Sequence, residues 1–299
     1  SEAKAILAAS AAAPAIDPVG LVQTFTLWAA IAPRSVFAGV QSVRPGEAVC
    51  FDARLRAVAT RWWQWRVDEH ARTPPDVAQA GHELRRLLDA AIDVRLRADV
   101  PVGAYLSGGI DSSVIAALAA RRVPGLPSFA LRFCDPAFDE TEAQRRVAAL
   151  LGTEHHELHI DDHAVGEALP DVVWHCETPL LRTAPVPMFL LSGLVRRCGI
   201  KAALTGGGAD ELPAGDSVSP ADRARRFWAR QPDSSRRPAL LARVHDFVGT
   251  AAQRAGSMWQ AFYRRGLLAT GDRCYSHAIR WHNTAWTTRV LAPELRALD

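Results

Sequence analysis

Long apolar runs are missing. No stretch of the 299 residues approaches the length of a membrane span, and no signal peptide is visible. Charge of either sign is nearly balanced: a formal net charge of +3 is too small to argue for a nucleic-acid or anionic-membrane partner. Cysteine is scarce and odd in number, with Cys50, Cys134, Cys176, Cys198 and Cys274 widely spread and never in a C-x-x-C pair. That excludes the usual disulfide frame or zinc ribbon and predicts reduced thiols in a cytoplasm. Two common nucleotide motifs are absent as well. No G-x-G-x-x-G marks a dinucleotide site, and no Gly-Lys-Ser/Thr closes a Walker A loop. The string His155-His156-Glu157-Leu158-His159 lacks the i, i+4 spacing of a helical zinc motif, and on a strand it sends His156 to one face and His155 and His159 to the other. What remains is an ordinary globular composition, 48% hydrophobic and 22% charged, with length for one large domain or two modest ones.

The informative stretch runs from Val100 to Arg122. Val102 to Leu106 is a short apolar run of the kind that forms a buried strand, and Val114, Ile115 and Leu118 among alanines predict a helix. Between them lies Ser107-Gly108-Gly109-Ile110-Asp111-Ser112-Ser113. A strand, a glycine turn and a helix start in that order make an anion site, because backbone N–H groups and the helix dipole both point at the ligand. Ser107, Ser112 and Ser113 add hydroxyls, and Asp111 can hold a divalent cation against a phosphate. The competing reading is a helix capped by Asp111 or Ser112. The SGG-x-DS string is similar to the pyrophosphate loop of ATP pyrophosphatases.

Taken in order, the chain begins in mid-helix at Glu2 to Leu7, which reads as a piece of a longer protein or one whose front was removed. Ser1 to Ala13 and Val19 to Ile31 are helical in pattern. Pro45-Gly46 signals a turn between two short strands, and a further β run spans Leu55 to Val67. Within it lies Arg61-Trp62-Trp63-Gln64-Trp65-Arg66, aromatics interleaved with arginine. The near-neutral charge favours an aromatic cluster at a strand or domain edge over a base-stacking platform. A domain boundary is expected near Asp68 to Pro75. From Asp76 to Arg97 the positions Val77, Leu84, Leu87, Leu88, Ala91, Ile92 and Leu96 recur at helical spacing. Strands at Ser128 to Phe133, His155 to Ile160 and Ile200 to Leu204 then alternate with helices at Thr141 to Leu151, Ala164 to His175 and Pro187 to Cys198. That alternation predicts an α/β fold, a doubly wound parallel sheet whose ligands bind at the carboxyl ends of its strands. Thr205-Gly206-Gly207-Gly208-Ala209-Asp210-Glu211 follows the last strand as a second glycine turn, and Asp111 and Asp210 are the carboxylates expected to share Mg²⁺.

Several blocks in succession, VPVGAYLSGGIDSSVIAALAA, FDETEAQRRVAALLGTEHHEL, ALPDVVWHCETP and TGGGADEL, resemble glutamine-dependent asparagine synthetases. SEAKAIL and FAGVQSVRPGEAV resemble the end of that family's N-terminal glutaminase domain. The resemblance implies residues 1–68 as a remnant of an α+β glutaminase domain. It implies 69–299 as an ATP-pyrophosphatase (adenine nucleotide α-hydrolase-like) domain with a helical part covering the sheet. It implies an ATP-dependent carbon–nitrogen ligase in which aspartate attacks the α-phosphorus, giving β-aspartyl-adenylate and pyrophosphate, and ammonia then displaces AMP. By position Leu106, Leu131, Thr205 and Gly206 would line adenosine and ribose. Ser107, Gly108, Gly109, Asp111, Ser112 and Ser113 would hold pyrophosphate, and Asp111 and Asp210 the metal. Glu177 and Arg182 are further candidates on the substrate side. The implied partners are ATP, aspartate and ammonia, with a separate glutaminase chain or a homodimer as the macromolecular options. The departures are the missing N-terminal cysteine nucleophile, Gly207 where the family has Glu, Pro213 to Asp216 after Leu212, and a family segment with a catalytic lysine beyond the present C-terminus. Two alternatives share the scaffold: a relative that closes β-lactam or lasso-peptide rings, and a catalytically degenerate nucleotide-binding domain.

Overall fold

A computed structural model describes residues 2–11, 13–66, 76–210, 218–244 and 258–298. In chain order the elements are α1 (Ala3–Ala9), α2 (Pro18–Leu27), β1 (Glu47–Phe51), β2 (Ala57–Arg61), α3 (Val77–Arg95), β3 (Val102–Tyr105), α4 (Ile110–Ala120), β4 (Pro127–Phe133) and α5 (Thr141–Leu151). They continue with β5 (Glu154–Ile160), α6 (Asp162–Cys176), α7 (Pro185–Arg197), β6 (Ala202–Leu204), α8 (Val218–Ala229), α9 (Leu241–Val244), α10 (Met258–Arg264), α11 (Tyr275–Ala285) and α12 (Pro293–Arg296). Two compact units result. One combines Trp65–Cys176 with Arg182–Ala209, the other Ser1–Gln64, Glu177–Leu181 and Asp210–Asp299. The expected boundary at Asp68 to Pro75 and the stretch Glu211 to Asp216 lie outside the described residues.

The first of these, the sheet unit, holds four strands in the order β5-β4-β3-β6, all parallel. Pleating divides its core by residue parity. Val102, Ala104 and Leu106 join Ile92, Ala116, Leu118, Ala119 and Ala148 on the face covered by α4 and α5. Tyr105, Phe129 and Leu131 join Leu191, Val195 and Ile200 on the face covered by α7. Helices on both faces make the sheet doubly wound, as the alternation predicts. Gly103 lies within β3, where a Cβ would stand 2.7 Å from the Phe129 ring. Helix α5 stops where expected, with Gly152 at φ +63° donating to the Ala148 and Ala149 carbonyls.

The three imidazoles of β5 take separate partners. His155 Nδ1 lies 2.8 Å from Ser128 Oγ, His156 stacks on Phe129 at 5.2 Å, and His159 Nε2 lies 3.3 Å from Cys134 Sγ. Burial lowers the His155 pKa, and its Nε2 is buried without a hydrogen bond. Arg145 grips Glu157 through two bonds of 2.6 Å and holds that carboxyl below its ordinary range.

The helical unit joins the two ends of the chain. Asp17 caps α2 by accepting from Gly20 N at 2.8 Å, with Pro18 at the first helical position. Trp28 Nε1 donates to Thr284 Oγ1 at 2.6 Å, and Thr287 Oγ1 to the Phe25 carbonyl at 3.0 Å. Arg225, 2% exposed, donates to the carbonyls of Tyr263, Tyr275 and Arg265 at 3.1, 3.2 and 2.7 Å. Burial lowers its pKa.

The β region differs from the sequence reading. Pro45-Gly46 does not join two paired strands: β1 pairs antiparallel with β2, and Val36 to Val40 contributes only the isolated bridge Ile16–Phe37. The β run shortens to Ala57–Arg61 because the chain then folds over Gly46, whose carbonyl accepts from Trp62 N and Trp63 N at 2.9 and 3.2 Å. A Cβ on Gly46 would lie 2.0 Å from the Trp63 carbonyl oxygen.

Candidate functional site

Strands β3 and β6 are neighbours and parallel, with Val102 opposite Ala202 and Ala104 opposite Leu204, so their carboxyl ends open side by side. Each continues into a glycine turn. After β3, Leu106 N still donates to the Phe129 carbonyl at 2.8 Å, and the Leu106 side chain is fully buried, so its backbone is what reaches the edge. Gly108 then takes φ +84°, which favours glycine, and packs against the first turn of α5: a Cβ would stand 3.0 Å from Ala143 Cβ and Gln144 N.

Helix α4 starts on Gly109 with no side chain capping it. Asp111 sits inside the first turn, exposed, so the reading of Asp111 or Ser112 as a simple cap does not hold. The serines brace the loop. Ser107 Oγ and Ser112 Oγ lie 2.8 Å apart, Ser107 N donates to Ser112 Oγ at 3.1 Å, and Ser113 Oγ donates to the Gly109 carbonyl at 2.7 Å. Ser112 is buried as a result. With the hydroxyls so engaged, the uncapped first-turn amides and the positive end of the α4 dipole are what the loop offers an anion.

The second turn closes on the first. A Cβ at Gly206 would stand 2.8 Å from Ser112 N, 2.9 Å from the Asp111 carbonyl carbon and 3.0 Å from Asp111 Cβ. Only a glycine lets the two turns meet so closely. Gly207 N donates to Thr205 Oγ1 at 3.1 Å, Ala209 N to the Gly206 carbonyl at 3.2 Å, and Gly208 takes φ +91°. A Cβ at Gly207 meets only Thr205, at 3.5 Å, so a side chain fits there.

Leu131 is half-buried on β4, and its carbonyl accepts from Gln144 Nε2 at 3.0 Å. Gln144, 3% exposed with Oε1 unpartnered, was not anticipated. Its signal was a polar residue on the inward face of the α5 pattern. Asp139, from the same FDE block, lies just before α5 and accepts from Thr141 N at 3.3 Å and from the Thr141 hydroxyl, and that hydroxyl bond holds its carboxyl below the ordinary range.

The remaining candidates fall in both units. Arg182 is exposed in the sheet unit just before α7, whereas Glu177 and Asp210 belong to the helical unit. Glu177 is engaged: it accepts from Ala3 N at 2.6 Å, Lys4 N at 2.8 Å and Lys4 Nζ at 3.1 Å, and the Lys4 amide leads the causes that lower its pKa. Asp210 is exposed. Among the described residues no cluster of three or more His, Cys, Asp or Glu side chains is placed to hold a metal.

The family model described as Asparagine synthase matches residues 83–295. Glutamine-hydrolyzing asparagine synthetase 1 of Bacillus subtilis is 31% identical over 196 residues, 66% of this chain and 30% of that protein. Asparagine synthetase B of Escherichia coli is 40% identical over 150 residues, 45% of this chain and 27% of that protein. Among solved structures, the match to the NH3-dependent NAD synthetase of Campylobacter jejuni covers 73% of this chain and 90% of that one at 17% identity and a TM-score of 0.30. The chain spans between 24% and 37% of the length of the curated relatives it matches.

Proposed function

The chain belongs to the asparagine synthase family, and from that premise we propose that its paired glycine turns bind ATP for the adenylation of a carboxylate, aspartate in the first instance. The aspartate side-chain oxygen attacks the α-phosphorus, the α–β bridging bond breaks, and pyrophosphate leaves. Ammonia then attacks the acyl carbon, AMP departs and asparagine forms. The physical difficulty is charge, since a carboxylate must approach a polyphosphate. The α4 amides and dipole, approached through Gly108 and Gly109, answer part of it.

In this reading Leu106, Leu131, Thr205 and Gly206 meet the nucleoside. Ser107, Ser112 and Ser113 hold the phosphate loop in shape. Asp111, with Asp210 as the second proposed carboxylate, would hold a Mg²⁺ that supplies charge neutralisation at the phosphates when bound. Arg182 and Glu177 stand as proposed substrate-side residues, Glu177 less favourably because the start of α1 already occupies it. The observation that carries the reading is the contact of Gly206 with Asp111 and Ser112, which sets two backbone anion cradles together at adjacent strand ends. The cytoplasm is the proposed compartment, and residues 1–68 are proposed as the glutaminase-domain remnant.

Gly207 favours a second reading, in which the adenylate is passed to another acceptor or adenylation has lapsed, because glycine supplies no acid or base. Isotope exchange between pyrophosphate and ATP separates these. Exchange that needs aspartate, and that falls more than tenfold in Asp111→Asn, supports the amidoligase. Exchange with other carboxylates only supports an altered acceptor. No exchange in the present chain, restored by Gly207→Glu, supports a lapsed site, and ATP binding unaffected by Asp111→Asn and Asp210→Asn would refute the site itself.

A further inference from the structure

Helix α3 carries two apolar faces, and the core uses one. Leu88, Ile92 and Leu96 turn inward and pack with the sheet's core. The second stripe stays on the surface: Val77 is 88% exposed, Leu84 and Leu87 51% each, and Val94 60%. With Ala80 and Ala91 between them, these residues step by three and four positions, the spacing of a coiled-coil seam. A single exposed leucine is ordinary, but a six-position seam on one helix marks a contact surface.

The seam reads the same in both directions. About the midpoint between Arg85 and Arg86, Val77 mirrors Val94, Ala80 mirrors Ala91, and Leu84 mirrors Leu87. We propose that α3 pairs antiparallel with α3 of a second copy of this chain, in a two-fold dimer where each side chain of the seam meets its own kind. Charge selects the direction. The helix has Asp76 as its N-cap and Arg95 as its last residue, and these two mirror each other, so antiparallel pairing sets a carboxylate opposite a guanidinium twice. Parallel pairing would set like charges and like dipole ends together. Val77 to Val94 spans about 26 Å at 1.5 Å per residue, which places the contact at the small end of specific interfaces, with dissociation at roughly 10–100 μM.

Sedimentation equilibrium of the chain from about 5 to about 300 μM tests this. The mass is expected to rise from 32.5 kDa toward twice that value. Leu84→Glu with Leu87→Glu is expected to stay at the monomer mass throughout, with unchanged circular dichroism because both side chains are exposed. Val290→Glu, at another exposed apolar position (73%), is expected to dimerise like the parent. In a background with the five native cysteines replaced by serine, Val77→Cys with Val94→Cys is expected to give disulfide-linked dimers, and Val77→Cys alone none. A monomer at every concentration, a dimer that survives both glutamates, or a Val77→Cys chain that links to itself would each overturn the proposal.

Discussion

Three consecutive glycines should respond to alanine in three different ways, and the differences follow from geometry. At Gly206 the added Cβ would stand 2.8 Å from Ser112 N and 2.9 Å from the Asp111 carbonyl carbon, both backbone atoms at the start of α4. Neither yields as a flexible side chain would. Forcing a methyl group into such a packed contact costs about 1–3 kcal/mol. The free protein can relieve that strain by letting the second turn drift from α4, but nucleotide binding would require the two cradles to close again. The strain then appears in the affinity, as roughly 5- to 150-fold weaker ATP binding. At Gly207 the Cβ meets only Thr205 at 3.5 Å, so Gly207→Ala should stay within about twofold of the parent. At Gly208, φ +91° makes Gly208→Ala a backbone strain of about 1–2 kcal/mol that lowers the melting temperature with no steric clash. Titration calorimetry with ATP and Mg²⁺, beside thermal melts of all three variants, gives the comparison. Gly206→Ala binding ATP as tightly as Gly207→Ala, with an unchanged melt, would refute the contact as the organiser of the site.

Acid sensitivity should have a His155 component. Its folded pKa is lowered by burial, so below about 6.5 the unfolded chain binds the proton first. The contribution is complete above that pH and is lost as pH falls toward the folded value. His155→Gln should flatten the stability curve just below pH 6.5, while the loss from Glu157, also lowered, sets in only below about 4.5. Arg225→Met should cost about 3 kcal/mol or more by denaturant titration, because three carbonyls lose their donor, and Arg225→Lys should recover part of it. Glu177→Gln should speed hydrogen exchange at the Ala3 and Lys4 amides without altering exchange at Ser107 to Ser113; unchanged exchange at the first pair would disprove the two bonds to Glu177.

Where local chemistry and the final contact agree, the chain could be read directly. The apolar runs of β3, β4 and β6, the helical periods between the strands and the Gly152 stop all act within a few residues, and the structure keeps them. The parallel order of β3 and β6 was implied by the alternation, and with it the meeting of the two glycine turns. The depth of that meeting was not, since a missing Cβ leaves no pattern of its own. Nor did periodicity divide α3 between Leu88, Ile92 and Leu96 inside and Val77, Leu84 and Leu87 outside, because both sets share the helical repeat. Ser107 and Ser112 bond to each other instead of standing free, a choice made by loop curvature. The aromatic run from Trp62 looked like strand by composition, but the turn over Gly46 is a tertiary contact that propensity does not see.

The two units are unequally distributed along the polypeptide, and translation must proceed in that order. Apart from Glu177–Leu181, the sheet unit is one unbroken run ending at Ala209, so every strand of it has been synthesised before α8 exists. The helical unit is clasped by bonds such as Trp28 to Thr284, partners 256 residues apart. At ribosomal speeds of 5–20 residues per second, the front of the chain waits roughly 13 to 51 seconds for that partner. During that interval the residues that Trp28 and Phe25 bond to, Thr284 and Thr287, have not been made, so the packing of α2 waits on the last part of the described chain.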